Sequence, residues 1–522
     1  MSQPDVTVVV AVYDTMPYLT TCLNSLVEQT IGLDRLEVVA VDDGSTDGSG
    51  AELDRFAERY PGTVTVLHQP NSGGPAVPSN RALDHARGRY VFFIGSDDHL
   101  GPEALERLVD AADRWGSDVV LGRMVGTNKR YVHQAIYAST QEQVDLFDSP
   151  LPWSLSNTKL FRRDLIERHG LRFREDMPMG SDQPFTLEAC FRAVKISVLA
   201  DYEFYYAVKR DNAQNITYAS RFEERLRCAE ELVGFVAGLI EPGRRRDAIL
   251  LRHFTWEVAK LLRPEFLDLG PDVQQQVHDR IRKLAEAYLT DGIVAAMAPD
   301  VRLRMVVARD ADLDRLRELI RQQADPVLPE VTIAGDRWYA HYVGFRDPRL
   351  GYPDDWYDAT AQAAKLMAKL TATELAWGRD ATGGPALVIT AQSRWAQLAE
   401  LAADAVRVSV GELAGVTSVA PGGPGTVVRT DFAVDQLLAV VTPNGERRVV
   451  QAEVTALGGI ASAPLRADRR LAAPRRVARH GVRLHLVTPT TNHKGQVIVA
   501  ITPVTPRRFI ARLRRIWPSG GK

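Results

Sequence analysis

Short apolar runs alternate with amphipathic segments over the first part of the chain. The runs are rich in β-branched residues and bounded by turn residues, as is typical of buried parallel strands. The segments between them are longer and repeat apolar residues at helical spacing. This alternation predicts an α/β domain with a parallel sheet and helices on both of its faces. The predicted strands are residues 6–13, 36–41, 63–68, 90–94 and 118–124, and the predicted helices are residues 17–29, 48–60 and 75–87.

The pattern changes twice in the rest of the chain. After the α/β part the sequence favours helices interrupted by proline and glycine. After Pro326 it shows short β-rich runs separated by Gly/Pro turns, as in a β-sandwich. We therefore predict an α/β domain over residues 1–220, a helical extension over 221–325, a sandwich-like all-β domain over 326–505 and a basic tail over 506–522.

The composition is that of an ordinary soluble globular protein, with 522 residues of which 45% are hydrophobic and 25% charged. The formal net charge of −2 gives no overall attraction to nucleic acid, so no nucleic acid partner is expected. Cys22, Cys190 and Cys228 lie far apart and outside any metal-binding spacing, as expected in a reducing compartment. We expect no secretory leader, because the first predicted strand begins at Val6, and the sequence shows no apolar run of the ~18 residues that a membrane span requires. We expect a cytoplasmic protein.

The strongest single signal follows the predicted strand 36–41. Asp42 and Asp43 come directly after this strand, and Gly44 and Ser45 allow the backbone to turn. In an open α/β sheet the ligand binds outside the carboxyl ends of the strands. Carboxylates at that place suit hydrogen-bond donors such as a base N–H or ribose hydroxyls. Taken alone, the same residues also fit an ordinary turn and helix cap.

Three further segments place polar residues at the ends of predicted elements. The loop 71–80 contains paired glycines that let a ligand approach the backbone closely, although a plain glycine-rich loop would look the same. Asp97 and Asp98 follow strand 90–94 and could bind a divalent cation that bridges phosphate oxygens, or simply cap a turn. Asp182 precedes an apolar helix and would serve as a general base or as the cap of that helix.

These segments occur in a fixed order on the α/β frame, and together they resemble the family 2 glycosyltransferases with the GT-A fold. More narrowly, the chain is similar to the wall teichoic acid glycosyltransferases, which attach N-acetylglucosamine to poly(ribitol phosphate). The resemblance covers about the first 320 residues. Beyond these residues the chain is similar only in its type of domain, since the teichoic acid enzymes also carry β-sandwich domains, which they use for trimerisation. It is carried by residues 42–47 (DDGSTD), 71–75 (NSGGP), 96–98 (SDD), 155–159 (LSNTK), 181–183 (SDQ), 204–210 (FYYAVKR) and 252–254 (RHF).

The resemblance implies an inverting transferase that binds a UDP-sugar donor and a metal ion. Asp97, with Asp98 beside it, would bind Mn²⁺ or Mg²⁺, and Asp182 would be the catalytic base. In the implied reaction Asp182 takes the proton from an acceptor hydroxyl, which attacks the anomeric carbon while UDP departs. The acceptor would be an anionic cell-wall or lipid-linked glycopolymer such as teichoic acid. The implied substrate-binding residues are Ala11, Tyr13, Asp14, Asp42, Asn71, Gly73, Gly74, Ser96, Asp97, Lys209 and Arg210.

Three positions depart from the family pattern. Gly95 stands where the family usually has an aspartate, so a ribose contact is expected to be lost while metal binding through Asp97 is kept. Ser79 stands where the teichoic acid enzymes tend to have an arginine, and Ser181 stands where a glutamate usually precedes the base. Arg252 is a weaker candidate for holding an anionic acceptor, and a charge on a helix surface is the favoured interpretation of it.

Other functions compete with this one. A nucleotidyltransferase shares the frame and the acidic metal site, but it usually has a glycine-rich basic loop where this chain has residues 13–17 (YDTMP). A dinucleotide oxidoreductase is disfavoured because no G-x-G-x-x-G follows the first strand. From a different class, a non-catalytic glycan-binding or scaffold protein with a degenerate GT-A domain is an alternative. A glycosyltransferase for another envelope polysaccharide is a further one.

The end of the chain and the β-rich part suggest two further contacts. Arginines alternate with apolar side chains in residues 507–517, which would dock a short helix on the anionic inner face of the plasma membrane. A solvated or packed terminal helix is the alternative. By the resemblance the chain would be a homo-oligomer, with a trimer as the candidate.

Overall fold

The structure is a computed structural model of the chain. It describes residues 3–210, 222–325, 328–334, 337–402, 404–423, 425–440, 445–456 and 459–504. The chain divides into two compact units, Met1–Pro326 and Val327–Lys522, which we call the first and the second unit. The finer division at residues 220, 325 and 505 stays a prediction, and the predicted basic tail, 506–522, lies outside the described residues.

Within the described residues, ten strands of the first unit form two sheets. They are β1 (Val6–Val12), β2 (Leu36–Asp42), β3 (Val64–His68), β4 (Tyr90–Gly95), β5 (His99–Leu100), β6 (Val119–Gly122), β7 (Met124–Thr127), β8 (Leu160–Arg162), β9 (Ile196–Leu199) and β10 (Tyr205–Val208). The main sheet has the order β3-β2-β1-β4-β8-β6-β9, in which β8 is antiparallel to both neighbours and the other pairs are parallel. The smaller sheet has the order β5-β10-β7. Strand β2 is buried at every position, as expected for a parallel strand covered on both faces.

The helices of the first unit fall into two groups. Those of the α/β part are α1 (Tyr18–Val27), α2 (Ser49–Arg59), α3 (Ala76–His85), α4 (Ala104–Trp115), α5 (Arg163–His169) and α6 (Asp182–Arg192). The helical extension that follows contains α7 (Phe222–Leu239), α8 (Arg244–His253), α9 (Pro271–Tyr288), α10 (Asp291–Ala296), α11 (Pro299–Asp310) and α12 (Leu313–Ala324). A π-helical turn, Phe254–Val258, continues α8. The predicted order of an α/β part followed by a helical segment is confirmed.

The predicted single strand 118–124 is wrong. The chain changes sheets at Arg123, whose backbone N–H donates to the Leu199 carbonyl at 2.9 Å, so that β6 pairs with β9 and β7 pairs with β10. At Gly122 an added Cβ would lie 2.5 Å from the ring of Phe204. The crossing therefore depends on a glycine at a close approach, which a continuous apolar pattern does not show.

The second unit is an all-β domain with short helices. Its strands are β11 (Val331–Ala334), β12 (Arg337–Ala340), β13 (Thr371–Arg379), β14 (Pro385–Ser393), β15 (Val406–Val410), β16 (Leu413–Ala414), β17 (Val416–Gly422), β18 (Gly425–Ala433), β19 (Glu446–Ala456), β20 (Gly459–Pro464), β21 (Arg476–His480), β22 (Arg483–Thr491) and β23 (Val497–Pro503), and its helices are α13 (Thr360–Met367) and α14 (Val434–Ala439). The sheet β13-β14-β18-β17 and the sheet β16-β15-β19-β23-β22-β21, with β20 beside β19, are antiparallel.

One apolar core joins the two sheets of the second unit. It contains Leu387 and Ile389 from β14 together with Val450 from β19 and Val499 from β23. Two antiparallel sheets that face a shared core form a sandwich-like domain, and the all-β prediction is confirmed. No helix in the described part of the chain combines the length and the apolar character needed to cross a membrane.

Candidate functional site

The ends of β1, β2 and β4 meet at one edge of the main sheet. In the parallel register Val12 lies beside Asp42, and Ala11 lies beside Gly95. The turns that follow the three strands therefore lie side by side, at the place where open α/β sheets bind ligands. We call this place the acidic edge; it comprises residues 11–15, 42–47 and 95–98.

The turn after β1 has an unusual backbone. Asp14 adopts a φ of 43°, in the left-handed region that residues with a Cβ rarely occupy. The backbone N–H of Thr46 donates to the Asp14 carboxylate at 2.7 Å and holds this conformation. Beside it, Tyr13 is 46% exposed, and the hydroxyls of Thr15 and Ser96 lie 2.9 Å apart. Backbone strain of this kind concentrates at ligand-binding sites.

Asp42 holds the turn that follows it. One carboxylate oxygen accepts a hydrogen bond from the Ser45 N–H at 3.0 Å, and the other lies 3.0 Å from Nδ1 of His68. Hydrogen bonds to Asp42 and Asp54 raise the pKa of His68. Both oxygens of Asp42 are therefore engaged within the protein, and its predicted contact with a nucleotide stays a prediction.

Asp43 ties the glycine loop, residues 71–74, to β2. One of its oxygens accepts from the Gln69 amide at 2.6 Å, and the other accepts from the backbone N–H and the hydroxyl of Ser72 at 3.0 and 2.9 Å. Within the loop, the Asn71 amide oxygen accepts from the Gly73 N–H at 2.7 Å. The glycine loop is thus held at the acidic edge by a buried carboxylate.

Gly74 brings the glycine loop against the segment that precedes α6. A Cβ added at Gly74 would lie 3.2 Å from the Pro178 backbone, so the approach is close. Pro178 is four residues before Asp182. The glycine loop therefore connects the acidic edge to the segment that leads into α6.

Asp98 joins β4 to β10. Its two oxygens accept hydrogen bonds from the Tyr205 hydroxyl at 2.5 Å and from the Val208 N–H at 2.7 Å. The Tyr205 oxygen in turn accepts from the Gly95 N–H at 3.0 Å. Burial, together with the negative charge of Asp97, raises the pKa of Asp98 to about 6. This carboxylate couples the two sheets of the first unit at the site.

Asp97 is the more accessible of the two neighbouring acids. Arg210 Nε donates to one of its oxygens at 2.8 Å, and both side chains are largely but not fully covered. The same guanidinium reaches the Asp14 carbonyl at 3.4 Å. The preceding Lys209 is exposed. Arg210 therefore connects the turns after β1 and β4 and brings positive charge to the acidic edge.

Asp97 and Asp98 differ as candidate metal ligands. Both oxygens of Asp98 accept hydrogen bonds, whereas Oδ1 of Asp97 has no donor among the described residues. Over that same part of the chain, no three His, Cys, Asp or Glu side chains form a group that could hold a metal ion. Mg²⁺-like cations often bind through one or two carboxylates, with phosphate oxygens and water completing the shell. The residues present fit such a cation at Asp97, shared with a phosphate-bearing substrate.

Asp182 is the first residue of α6 and is partly buried. Burial raises its pKa, while the positive charges of Arg252 and Lys159 act in the opposite direction. Within the described residues, no other side chain donates a hydrogen bond to its carboxylate. A carboxylate with a raised pKa and no side-chain donor is suited to accept a proton.

Lys159 is a buried cation near Asp182. It is 1% exposed, and its Nζ donates to the Ser156 carbonyl at 2.6 Å. Burial lowers the pKa of Lys159 to about 8, and the charge of Asp182 limits that fall. Lys159 therefore remains protonated at neutral pH and places a positive charge behind the base.

The favoured interpretation of Arg252 as a helix-surface charge is wrong. Arg252 is 6% exposed, and its Nη1 donates to Glu257 at 2.9 Å and to the Gln183 amide oxygen at 2.5 Å. Although burial acts to raise it, the charge of Arg252 and a hydrogen bond with His253 hold the pKa of Glu257 at about 2. Because Gln183 follows Asp182 directly, this network fixes the start of α6. The helical periodicity of α8 alone did not show that the side chain of Arg252 faces the α/β part.

Most of the predicted site residues converge at the acidic edge and the glycine loop, although their ligand contacts stay predictions. Sequence reasoning noted Asp43 only as a carboxylate at the strand end and missed Lys159 and Tyr205; all three position other groups. Lys159 and Tyr205 lie in segments that carry the family resemblance, so a signal existed without a role attached to it. The predicted residues that converge are Ala11, Tyr13, Asp14, Asp42, Asn71, Gly73, Gly74, Ser96, Asp97, Asp98 and Arg210.

Two family profiles match the first unit. Glycosyl transferase family 2 matches residues 7–170, and the glycosyl transferase TarS linker domain matches residues 224–320. The chain is 31% identical over 325 residues to a poly(ribitol-phosphate) beta-glucosyltransferase of Bacillus spizizenii, a match that covers 61% of this chain and 51% of that protein. The chain thus spans about half the length of this relative. It is also 31% identical over 268 residues to the putative glycosyltransferase EpsH of Bacillus subtilis, covering 48% of this chain and 76% of EpsH.

Solved structures of S. aureus TarS share the fold. Residues 1–349 of TarS in complex with UDP-GlcNAc align with a TM-score of 0.57 and 28% identity, covering 67% of this chain and 98% of that one. The longer TarS structure aligns over 96% of this chain and 86% of its own with a TM-score of 0.58, and at 21% identity it speaks to the fold alone. The expected GT-A fold followed by helices and an all-β domain is confirmed. With more than two thirds of EpsH matched and the family 2 profile covering the α/β part, the chain belongs to glycosyl transferase family 2.

Proposed function

We propose that this protein transfers a sugar from a UDP-sugar to a hydroxyl of a teichoic-acid-type glycopolymer. The observation that carries the proposal is Asp182, a carboxylate with a raised pKa and no donor side chain among the described residues, at the end of a segment whose Pro178 packs against the glycine loop of the acidic edge. A base beside a nucleotide-binding edge is what direct displacement at an anomeric carbon requires. The B. spizizenii relative is named a poly(ribitol-phosphate) beta-glucosyltransferase and S. aureus TarS a poly(ribitol-phosphate) beta-N-acetylglucosaminyltransferase, and both names support this acceptor class.

The donor is a UDP-sugar, with N-acetylglucosamine as the first candidate and glucose as the second. Support comes from TarS, which was solved with UDP-GlcNAc, and from the glucosyltransferase name of the B. spizizenii relative. Ala11, Tyr13, Asp14 and Asn71 are the proposed nucleotide contacts, since they line the strand ends and the loop beside them. The sugar would lie against Gly73 and Gly74, where backbone without side chains permits a close approach.

In the proposed reaction the acceptor oxygen bonds to the anomeric carbon as the bond from that carbon to the diphosphate oxygen breaks. Asp182 accepts the proton of the attacking hydroxyl. The positive charges of Lys159 and Arg252 oppose the burial that raises the pKa of Asp182 and so favour its ionised form. Lys209 and the guanidinium N–H groups of Arg210 that Asp97 does not use are available to meet the negative charge that develops on the departing UDP.

A divalent metal ion, Mn²⁺ or Mg²⁺, would be held by Asp97 together with the diphosphate. It would supply charge neutralisation to the leaving group. We propose that Asp98 contributes by fixing the turn that carries Asp97, because its own oxygens serve Tyr205 and Val208. A cytoplasmic location and a homotrimer assembled through the all-β domain are also part of the proposal. Light scattering that shows a monomer at micromolar concentration would contradict the proposed trimer.

The test is UDP release from a panel of UDP-sugars in the presence of Mn²⁺, comparing the wild-type chain with Asp182→Asn. The true donor should be hydrolysed slowly without acceptor, and the variant should lose about 10²–10⁴-fold of this rate, the usual contribution of a general base. Asp176→Asn is the matched control, since this acid lies in the same segment with its side chain 56% exposed. It should keep wild-type rates.

Three further outcomes separate the alternatives. Calorimetric UDP binding that depends on Mn²⁺ and disappears in Asp97→Asn would support the proposed metal ligand. Metal-dependent UDP binding without release from any donor would indicate a strict acceptor requirement. A chain that binds no UDP at all would be the scaffold protein instead.

A further inference from the structure

The positive charge of this chain is concentrated at its C-terminal end. Residues 469–522 contain 13 Lys and Arg and no Asp or Glu, whereas the preceding 468 residues contain 51 Lys and Arg and 66 Asp and Glu. The formal net charge of −2 therefore hides a strongly basic end on an otherwise acidic protein. Such asymmetry indicates a polyanionic partner for that end.

Part of this charge lies on one exposed hairpin of the second unit. Strands β21 and β22 pair antiparallel and are joined at Gly481 and Val482. We define the basic hairpin as residues 475–486. It carries four arginines, none of which forms an ion pair with any described residue: Arg475, Arg476, Arg479 and Arg483. Arg476 stacks on the Trp377 ring and Arg479 Nε donates to the Gly481 carbonyl at 2.7 Å, so without an ion-pair partner these guanidinium groups keep N–H donors for an external anion.

The basic hairpin also exposes apolar side chains. Val482, at the turn, is 92% exposed, Val477 is 57% exposed and Leu484 is 46% exposed. Arg479 pairs with Leu484, and Val477 pairs with Leu486, so these four side chains share one face of the hairpin. The other face carries His485 and Val487, which are buried in the unit. The outer face thus presents Arg479 beside apolar groups, and Arg483, whose register position is on the other face, is exposed at the hairpin end next to Val482.

The end of the described chain lies beside this hairpin. Strand β23 pairs with β22, and the Val504 N–H donates to the Leu484 carbonyl at 2.8 Å. The sequence that continues from Val504 holds five arginines, a phenylalanine and a tryptophan within residues 507–517. The basic hairpin and the attachment point of the basic tail are therefore at the same place in the second unit.

We propose that the basic hairpin docks the second unit on an anionic lipid bilayer. Val482 would enter the interface between headgroups and acyl chains, while Arg479 and Arg483 would pair with lipid phosphates. A soluble polyanion would explain the arginines but gains nothing from exposed valine and leucine, whereas a bilayer meets both. This inference does not depend on the proposed transferase activity.

The test is flotation of the full chain with vesicles of phosphatidylcholine alone and of phosphatidylcholine with phosphatidylglycerol at a 3:1 ratio. The wild-type chain should bind the anionic vesicles and not the neutral ones. Arg479→Gln/Arg483→Gln should weaken the partition coefficient about thirty-fold, as expected for two basic residues at an anionic surface. Val482→Ser, which leaves the charge unchanged, should weaken it about tenfold.

Matched controls place the same changes on the first unit. Val194→Ser removes a valine that is 86% exposed, and Arg59→Gln/Arg114→Gln removes two exposed arginines. Both control variants should bind like the wild type, and all variants should keep its melting temperature. Binding that resists Val482→Ser but is lost in the arginine variant and is competed by soluble polyphosphate would overturn the proposal in favour of a polyanion site. Equal binding by the wild type and both hairpin variants would overturn it as well.

Discussion

Aspartate side chains have opposite roles at the acidic edge and at the start of α6. At the acidic edge, Asp42, Asp43 and Asp98 each accept hydrogen bonds on both carboxylate oxygens. At the start of α6, Asp182 has no side-chain donor among the described residues and lies in the field of two buried cations. A carboxylate that accepts hydrogen bonds on both oxygens holds turns and loops in place, whereas a carboxylate without a side-chain donor is available to accept a proton.

This difference separates structural from reactive aspartates more clearly than their sequence context does. All four acids follow a strand or open a helix, and all four fit an ordinary turn or cap. Asp97 is intermediate, since Arg210 occupies one of its oxygens and the other has no donor in the described part of the chain. The following predictions test the distinction through stability rather than through activity alone.

The largest effect on stability is expected at Asp43. The substitution Asp43→Ala leaves the Gln69 amide and the Ser72 N–H without their acceptor, which should lower the free energy of unfolding by about 3–4 kcal/mol. Urea denaturation followed by tryptophan fluorescence measures this. Asp84→Ala is the control, because Asp84 is 62% exposed in a surface ion pair with Arg172 and should cost less than about 1 kcal/mol. Equal losses would contradict a structural role for Asp43.

The second effect, a change in the free energy of unfolding that depends on pH, is expected at Lys159. Its pKa is lowered from 10.5 to about 8 in the folded protein, so between these pH values the unfolded chain binds a proton that the folded chain does not. The wild type should therefore gain about 3 kcal/mol relative to Lys159→Met as the pH rises through this interval. Urea denaturation at the two ends of the interval measures the change.

The control for Lys159 is a lysine of the same unit that is already exposed. Lys283→Met, on the surface of α9, removes an exposed lysine and is compared with the wild type at the same two pH values. If the difference in unfolding free energy between the wild type and Lys159→Met does not change with pH, Lys159 is not a buried cation near Asp182.

The smallest expected effect is a gain in stability on substitution of Asp182. Burial raises the pKa of Asp182, so the folded state disfavours its ionised form and the wild type loses stability as the pH rises from the ordinary carboxyl pKa through the raised one. Asp182→Asn should therefore be more stable than the wild type at pH 7 and should show no gain at a pH well below the ordinary carboxyl pKa. Thermal melts across this range measure it. A less stable Asn variant would place Asp182 with the structural acids.

Much of the fold was predictable because it rests on local patterns. Strands β1 to β4 and helices α1 to α3 have apolar periodicity and turn residues that match their observed bounds to within two residues. Strands β8 and β9 were not predicted, since they are short and lie in a loop-rich stretch. The division of residues 118–124 between two sheets depends on pairing with β9 and β10, which are far away in the chain.

Local patterns along the chain specify the order of the elements and put its acids at strand ends, because short-range periodicity and turn chemistry do not depend on distant residues. Tertiary contacts specify which of these acids accept hydrogen bonds on both oxygens. The donors to Asp98 come from Tyr205 and Val208, more than a hundred residues away, and the cation that orients Gln183 comes from Arg252. Hydrogen bonds and charges between distant segments exist only after folding, so the availability of Asp182 is a property of the fold.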